Sequence, residues 1–274
     1  MNKRSMKLVV IALCIAILLG SGIQAGSASA APRTYPVLLK INDYYVLYTA
    51  PKAPYVDSRG RIMIPLRSVS QLLGAKVEYD AKAKSTVISM NDRTVQFQTG
   101  SRTVMTNGSV VQMDTAPVLV QNSLYIPVSV LASQLGVHGN YDAENHLYKL
   151  TGDNLMQTDI IKLTLEDLEH GAWTMPPKPI VSNNAFMPVS YTYDAANKSF
   201  AVRAKNITGA DVPEGAADVA LYVLTKDSVQ FPKPRRMRPA VSKDGFIVEK
   251  AISGSLNEVE LVLVKGRLLQ AGNS

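Results

Sequence analysis

An internal repeat at an offset of 62 residues constrains most strongly what this chain can fold into. Segment 61–81 aligns with segment 123–143, and seven aligned pairs are identical. These pairs are Ile64/Ile126, Pro65/Pro127, Leu73/Leu135, Gly74/Gly136, Tyr79/Tyr141, Asp80/Asp142 and Ala81/Ala143. Two copies indicate a duplicated unit rather than a solenoid, which needs at least three repeats. Both copies should therefore adopt the same local fold.

Each copy predicts a strand, a short helix and two further strands. In the first copy, Arg61–Ile64 is apolar and strand-like, and Pro65 suits the first turn of a helix, where its missing N–H costs nothing. Gly74 and Gly136 follow the two helices, where a left-handed residue ends a helix well. The later strands of the first copy are expected at 76–79 and 85–90. The second-copy elements are expected at 124–126, 127–135, 137–141 and 146–150.

The remaining pattern predicts two halves. Asn107-Gly108 and Asn42-Asp43 are dipeptides typical of β-hairpin turns. Together with the two repeat copies, they predict that residues 31–152 form an α+β domain, a duplicated β-α-β-β unit with an antiparallel sheet. Residues 153–185 break the pattern and are interpreted as a linker. Strands at short intervals over residues 186–274 predict an all-β, sandwich-like C-terminal domain.

The repeat motifs resemble a known family. Gly60–Arg67 has the sequence G-R-I-M-I-P-L-R, and Leu73–Asp80 has the sequence L-G-A-K-V-E-Y-D. This order resembles the copper amine oxidase-like N-terminal domain, or stalk domain, with Tyr79 and Tyr141 in place of the usual Trp. In copper amine oxidases the domain looks like an appendage separate from the copper and quinone chemistry. The resemblance therefore implies no oxidase activity.

The first thirty residues have the pattern of a signal peptide. Basic residues precede the apolar run Leu8–Leu19, which is shorter than the ~20 residues of a spanning helix. Ala28-Ser29-Ala30 is an A-x-A cleavage signal, so the mature chain should begin at Ala31; an uncleaved membrane anchor is the alternative. Cleavage lowers the formal charge from +7 to +4 and removes the single cysteine. We expect a secreted or extracytoplasmic cell-envelope protein that meets the membrane only through its signal peptide and does not bind nucleic acid.

No catalytic residue, metal site or cofactor is predicted. The chain lacks a phosphate-binding glycine loop, a G-x-S-x-G elbow and an H-E-x-x-H helix. A copper site needs several clustered imidazoles, and the chain has only His138, His146 and His170. His138 and His146 flank one turn and could lie close across a hairpin, the arrangement that would most favour a metal.

A basic stretch and one arginine are the candidate functional or structural residues. Lys233, Arg235, Arg236 and Arg238 form the densest basic stretch, which would attract an anionic cell-wall polymer; the alternative is a solvated loop whose charges are screened. Arg67, in the first helical turn of the first copy, opposes the helix dipole by ~0.3–1 kcal/mol.

Arg67 should therefore have a compensating carboxylate, and Asp80 and Asp57 are the candidates. Ser129 stands at the equivalent position of the second copy, so Asp142 should lack an equivalent partner. We interpret Arg67, Asp80, Gly74 and Gly136 as structural residues, with ligand binding by Arg67 as the alternative.

Together these features predict an exported, non-enzymatic envelope protein. Its stalk-type domain would mediate docking or packing, and its C-terminal domain would present a binding surface to an anionic wall polymer or an envelope protein. The sequence is also compatible with a homodimer. The alternative is an accessory enzyme of cell-wall polymer metabolism with an unrecognised hydrolytic site. A carboxylate pair in a cleft would favour the enzyme, whereas a filled core and flat sheet faces would favour the binding protein.

Overall fold

Short apolar and alternating stretches make this chain mostly β-structure. The computed structural model describes residues 38–49, 52–153, 155–156, 159, 161–162, 178–194, 197, 199–225, 229–230, 238–252 and 259–271, which lie in one compact unit starting at Tyr35. The described strands form several antiparallel and mixed sheets. The predicted signal peptide, residues 1–30, lies outside the described residues.

The first-half strands are β1 (Leu38–Ile41), β2 (Tyr44–Thr49), β3 (Tyr55–Val56), β4 (Ile62–Pro65), β5 (Lys76–Asp80), β6 (Ser85–Met90), β7 (Arg93–Gln98), β8 (Thr103–Thr106), β9 (Ser109–Gln112), β10 (Val118–Val120), β11 (Ser123–Pro127), β12 (His138–Asp142) and β13 (Leu147–Thr151). The second-half strands are β14 (Ile180–Ser182), β15 (Phe186–Asp194), β16 (Ser199–Asn206), β17 (Ala217–Leu224), β18 (Val229–Gln230), β19 (Phe246–Ile252) and β20 (Leu261–Leu269). The short helices are α1 (Leu66–Leu73) and α2 (Val128–Gln134). Neither helix is long and apolar enough to cross a membrane, and the described residues contain no other that is.

The two repeat copies have the same element order. β4, α1, β5 and β6 form the first copy, and β11, α2, β12 and β13 form the second. Gly74 and Gly136 both have a φ of 71°, which confirms the predicted left-handed helix ends. β4 and β11 pair antiparallel with Ile64 opposite its equivalent Ile126. Equivalent residues of the two copies thus pair with each other on antiparallel strands. A local pseudo-twofold axis therefore relates the two copies at this pair.

The predicted hairpin turns are present. Asn107 and Gly108 have φ values of 47° and 83°, as a two-residue turn with both residues left-handed requires. This turn joins β8 to β9, and Thr106 pairs with Ser109 across it. Asn42 has a φ of 50° in the turn that joins β1 to β2.

The strands of residues 31–152 do not share one antiparallel sheet, which corrects the sequence prediction. They contribute to three sheets: β5 to β9 in order, β10-β11-β4-β3, and a larger mixed sheet. The larger sheet has the order β12-β13-β1-β2-β20-β17-β18, with β14 also paired to β20. β1 and β13 run parallel, and β2 pairs with β20 of the second half. The predicted N-terminal and C-terminal domains thus contribute strands to one sheet. The domain boundaries at residues 152 and 186 stay a prediction.

The larger sheet is covered on both faces. One face carries Ile41, Val46 and Leu263 into a first core that also contains the buried sides of α1 and α2. The other face carries Tyr45 and Val264 into a second core, against the three-stranded sheet β15-β16-β19. Burial on both faces explains why β17 and β20 contain nearly continuous apolar runs rather than an alternating pattern.

Candidate functional site

A cleft of about 370 Å³ lies beside the helix of the first repeat copy. Its walls come from α1, the β5–β6 hairpin, the β10–β11 turn and the residue just before β20. We call it the repeat-1 cleft, and its polar lining residues are Arg67, Tyr79, Thr86, Gln121, Asn122, Ser123 and Glu260.

Local folding places each of these residues. α1 buries Val69, Leu72 and Leu73 in the first core. These residues lie at i, i+3 and i+4 and so share one face of the helix, which leaves Arg67 exposed. Tyr79 and Thr86 are cross-strand partners, so their side chains share one face of the β5–β6 hairpin.

The β10–β11 turn holds the amide side chains at the cleft. Gln121 and Asn122 have φ values of 47° and 61°, a two-residue turn with both residues left-handed. Val120 and Ser123 pair on either side of it. Because the tight turn is closed by this pair, both amide-bearing residues are held in one place on the cleft wall.

The cleft contains polar groups that have no partner among the described residues. Among the described residues, neither the Arg67 guanidinium nor the Glu260 carboxylate has an ion-pair or hydrogen-bond partner. The Thr86 hydroxyl is buried, since that residue is 1% exposed, and it lacks a partner in the same part of the chain. A buried hydroxyl without a partner costs ~1–3 kcal/mol. Tyr79, in contrast, presents an aromatic side chain that is 53% exposed.

The carboxylates expected to compensate Arg67 are bonded elsewhere. Asp80 accepts hydrogen bonds from the backbone N–H groups of Lys82 (2.8 Å) and Ala83 (3.0 Å), which close the turn after β5. Asp57 accepts bonds from two backbone N–H groups and from the Thr115 hydroxyl at 3.1 Å. Burial would raise the pKa of Asp57, but these hydrogen bonds lower it. Neither carboxylate is therefore bonded to Arg67.

Asp142 has a cationic partner, contrary to the sequence expectation. Its carboxylate accepts hydrogen bonds from the Asn145 side chain at 3.0 Å and from the Lys149 ammonium at 3.1 Å. These bonds, with the Asn145 backbone N–H, lower the pKa of Asp142 to about 2. The sequence comparison with Arg67 missed this pair because Lys149 lies on the following strand, outside the aligned segment.

The two histidines that flank a turn in the sequence do not come together. His138 pairs with Thr151 at the open end of the β12–β13 hairpin, whereas His146 lies at its closed end, beside the pair Asp142 and Leu147. They are thus about four residues of strand apart, and each residue adds ~3.3 Å. No group of three or more metal-ligating side chains occurs within the described ranges. His170 lies outside them.

Arg238, one of the four residues of the predicted basic site, is already paired within the fold, and polymer binding by that site stays a prediction. It forms an ion pair with Glu249 of β19, and the side chains are only 12% and 3% exposed. The Arg238 carbonyl also accepts a hydrogen bond from the Gly215 N–H at 2.8 Å. A partly buried cation is tolerated because a carboxylate compensates it. Lys233, Arg235 and Arg236 lie outside the described residues.

Sequence reasoning missed part of the repeat-1 cleft. Arg67 stood out because the duplication is asymmetric there, and Tyr79 because it replaces a usual Trp. Nothing local marked Glu260, which β20 brings to the first copy through strand pairing across more than 200 residues. Thr86 also had no signal, because its hydroxyl matters only through its burial under the cleft.

The comparison with family models agrees with the repeat motifs. Residues 40–150 match the copper amine oxidase N-terminal domain. The chain matches no curated protein. Every polar residue of the repeat-1 cleft except Glu260 lies inside the matched segment. Residues 40–150 are therefore identified as a copper amine oxidase N-terminal domain.

Proposed function

We propose that this chain is an exported, non-catalytic cell-envelope protein that binds its partner in the repeat-1 cleft. The observation that carries the proposal is a pair of charges, Arg67 and Glu260, that have no partner within the described ranges and line one cleft beside the exposed ring of Tyr79. Binding sites typically combine apolar and aromatic walls with a few polar groups that orient the ligand. Export rests on the signal-peptide pattern of residues 1–30.

The lining of the cleft favours binding over hydrolysis. Glycoside hydrolysis usually needs two carboxyl groups on either side of the bond that is broken. Glu260 is the single carboxylate among the described residues that line the cleft. The alternative function, an accessory enzyme of wall-polymer metabolism, therefore has weaker support than a binding protein.

The finer fold description belongs to the same proposal. Residues 31–152 are a duplicated β-α-β-β unit, which the shared element order of the two copies supports. A sandwich-like C-terminal half is supported by the second core, in which Phe200 and Val202 of β16 pack with Val219 and Leu221 of β17. In this arrangement β17 also belongs to the larger sheet, so the two halves act as one support for the cleft.

The partner is a wall polymer or an envelope protein. Lys233, Arg235 and Arg236 add a non-specific Coulomb attraction to an anionic surface, without Arg238. No cofactor is needed for such a role. The cleft supplies the specific contact, and the basic stretch raises the local concentration of the protein at the surface.

Retention on purified cell-wall material tests the proposal. Arg67→Gln and Tyr79→Ala should each reduce co-sedimentation of the secreted protein with the wall material. Arg102→Gln and Tyr141→Ala are matched controls, because Arg102 is an exposed arginine outside the cleft and Tyr141 is the 45% exposed second-copy equivalent of Tyr79. Equal retention of all four variants and the unaltered protein would overturn the assignment of the cleft.

A further inference from the structure

We propose that the repeat-1 cleft binds a short peptide with both ends free, its carboxylate at Arg67 and its ammonium at Glu260. The proposal rests on the binding function proposed above and narrows the partner to a wall component or protein that holds such a peptide through a side chain, which leaves both peptide ends free. The argument has three parts: the charges, the strand edges and the size of the cleft.

The charges select a ligand that carries both signs. The planar Arg67 guanidinium suits a carboxylate, which it can bind through two parallel hydrogen bonds. The Glu260 carboxylate suits an ammonium group. In the described structure the two side chains pair neither with each other nor with another residue, so both keep their capacity for a ligand. A ligand of one sign would be attracted by one residue and repelled by the other, which disfavours a polyanion in the cleft.

The strands that border the cleft favour a peptide over a saccharide. β5, which carries Val77 and Tyr79, and β10, which carries Leu119, are edge strands of their sheets; within the described ranges each has one hydrogen-bonded neighbour. An edge strand offers unpaired N–H and C=O groups, and an extended peptide can bind them with its own backbone. The buried Thr86 hydroxyl offers a further donor to a peptide carbonyl.

The size of the cleft favours a short segment. Its volume of about 370 Å³ is near the lower end of small-molecule sites, roughly 300–1,000 Å³. Tyr79 and Leu119, which are 53% and 54% exposed, provide apolar surface for small side chains along the segment. A few residues with two free ends fit these features together.

Titration with tri-alanine tests the charge requirement directly. Binding is followed by NMR chemical-shift changes of the secreted protein. Tri-alanine should bind with shifts confined to the cleft, and N-acetyl-tri-alanine amide, which has neither end charge, should bind at least about tenfold more weakly. Equal affinity for both peptides would overturn the proposal, as would tighter binding of the neutral saccharide chitotriose in the cleft.

Single-end variants of the peptide separate the two charges. Arg67→Gln should weaken binding of tri-alanine by about tenfold but should not weaken binding of tri-alanine amide, which lacks the carboxylate. Glu260→Gln should weaken binding of tri-alanine to a similar degree but should not weaken binding of N-acetyl-tri-alanine, which lacks the ammonium group. Arg102→Gln and Glu214→Gln, both at exposed positions outside the cleft, should change neither affinity. If each variant weakened all of these peptides equally, whichever end is blocked, the assigned roles of Arg67 and Glu260 would be contradicted.

The outcomes distinguish this proposal from the function on which it rests. If no peptide binds but Arg67→Gln and Tyr79→Ala still abolish wall retention, the cleft binds another ligand and the peptide proposal is wrong. If tri-alanine binds as expected but the cleft variants are retained on the wall like the unaltered protein, the peptide site stands and the wall function is wrong. Thermal unfolding of each variant shows that a loss of binding does not reflect a loss of fold.

Discussion

The ion pair between Arg238 and Glu249 gives the sharpest test of how the second half is held together. Glu249 lies in β19, and its side chain is only 3% exposed. Replacing Arg238 by Ala would remove this cation from beside the buried Glu249 carboxylate. Breaking a buried pair on one side costs about 3–5 kcal/mol. For a chain of this length, 1 kcal/mol shifts the Tm by about 2–4 °C, so Arg238→Ala should lower the Tm by about 6–20 °C.

Thermal unfolding followed by circular dichroism measures this loss. Arg102→Ala is the matched control, because it removes an exposed arginine and should change the free energy of unfolding by less than about 0.5 kcal/mol. The double variant Arg238→Met/Glu249→Leu removes both charges together and should be clearly more stable than Arg238→Ala, since the buried carboxylate is removed together with its cation.

The opposite pattern would refute the reasoning. If Arg238→Ala had the Tm of Arg102→Ala but bound wall material more weakly, Arg238 would belong to the polymer-binding stretch with Lys233, Arg235 and Arg236. If the double variant were no more stable than Arg238→Ala, the loss would come from packing of the arginine stem rather than from its charge.

Three further predictions concern other parts of the molecule. Because the folded-state pKa of Asp142 is lowered to about 2, its carboxylate stabilises the fold above the ordinary pKa near 3.8 and loses that effect as the pH falls towards 2. In Asp142→Asn, the urea midpoint of unfolding should therefore fall less between about pH 4 and pH 2 than it does in the unaltered protein. Gly266→Ala should lower the Tm strongly, because an added Cβ would overlap the Phe186 carbonyl oxygen, whereas Gly209→Ala has open space and should cost only backbone strain. In the triple variant Lys233→Glu/Arg235→Glu/Arg236→Glu, retention on wall material should fall at low salt, and unchanged retention would leave the stretch as a solvated loop.

The sequence predicted the local structure of the repeat well. Gly74 and Gly136 end their helices as expected, and Asn107-Gly108 forms its hairpin, because these features depend on the φ preferences of single residues. The pairing of sheets was not predictable from the same patterns. β2 pairs with β20 across more than 200 residues, and no short-range pattern specifies such a pairing.

The candidate site, too, was predictable only where it depends on local sequence. Arg67 was noticed because the second copy lacks it, but its expected partners Asp80 and Asp57 were chosen by proximity in the sequence. Short-range hydrogen bonds to their own turns occupy both carboxylates. The carboxylate that shares the cleft with Arg67 is Glu260, and its position depends on the pairing of β20, which no local pattern specifies.

The duplication also explains why one chain should offer one site rather than two. The pseudo-twofold pairing of β4 with β11 gives both copies the same frame, and Tyr79 and Tyr141 are both exposed within it. Two features of the cleft are not duplicated: Ser129 stands where Arg67 would be, and Glu260 comes from the second half of the chain, which adjoins the first copy there. The repeated sequence thus builds the support, and the unrepeated residues supply the charges. A ligand that needs both charges should therefore bind with a stoichiometry of one per chain, whereas a ligand that needs only the exposed tyrosine would find two equivalent sites.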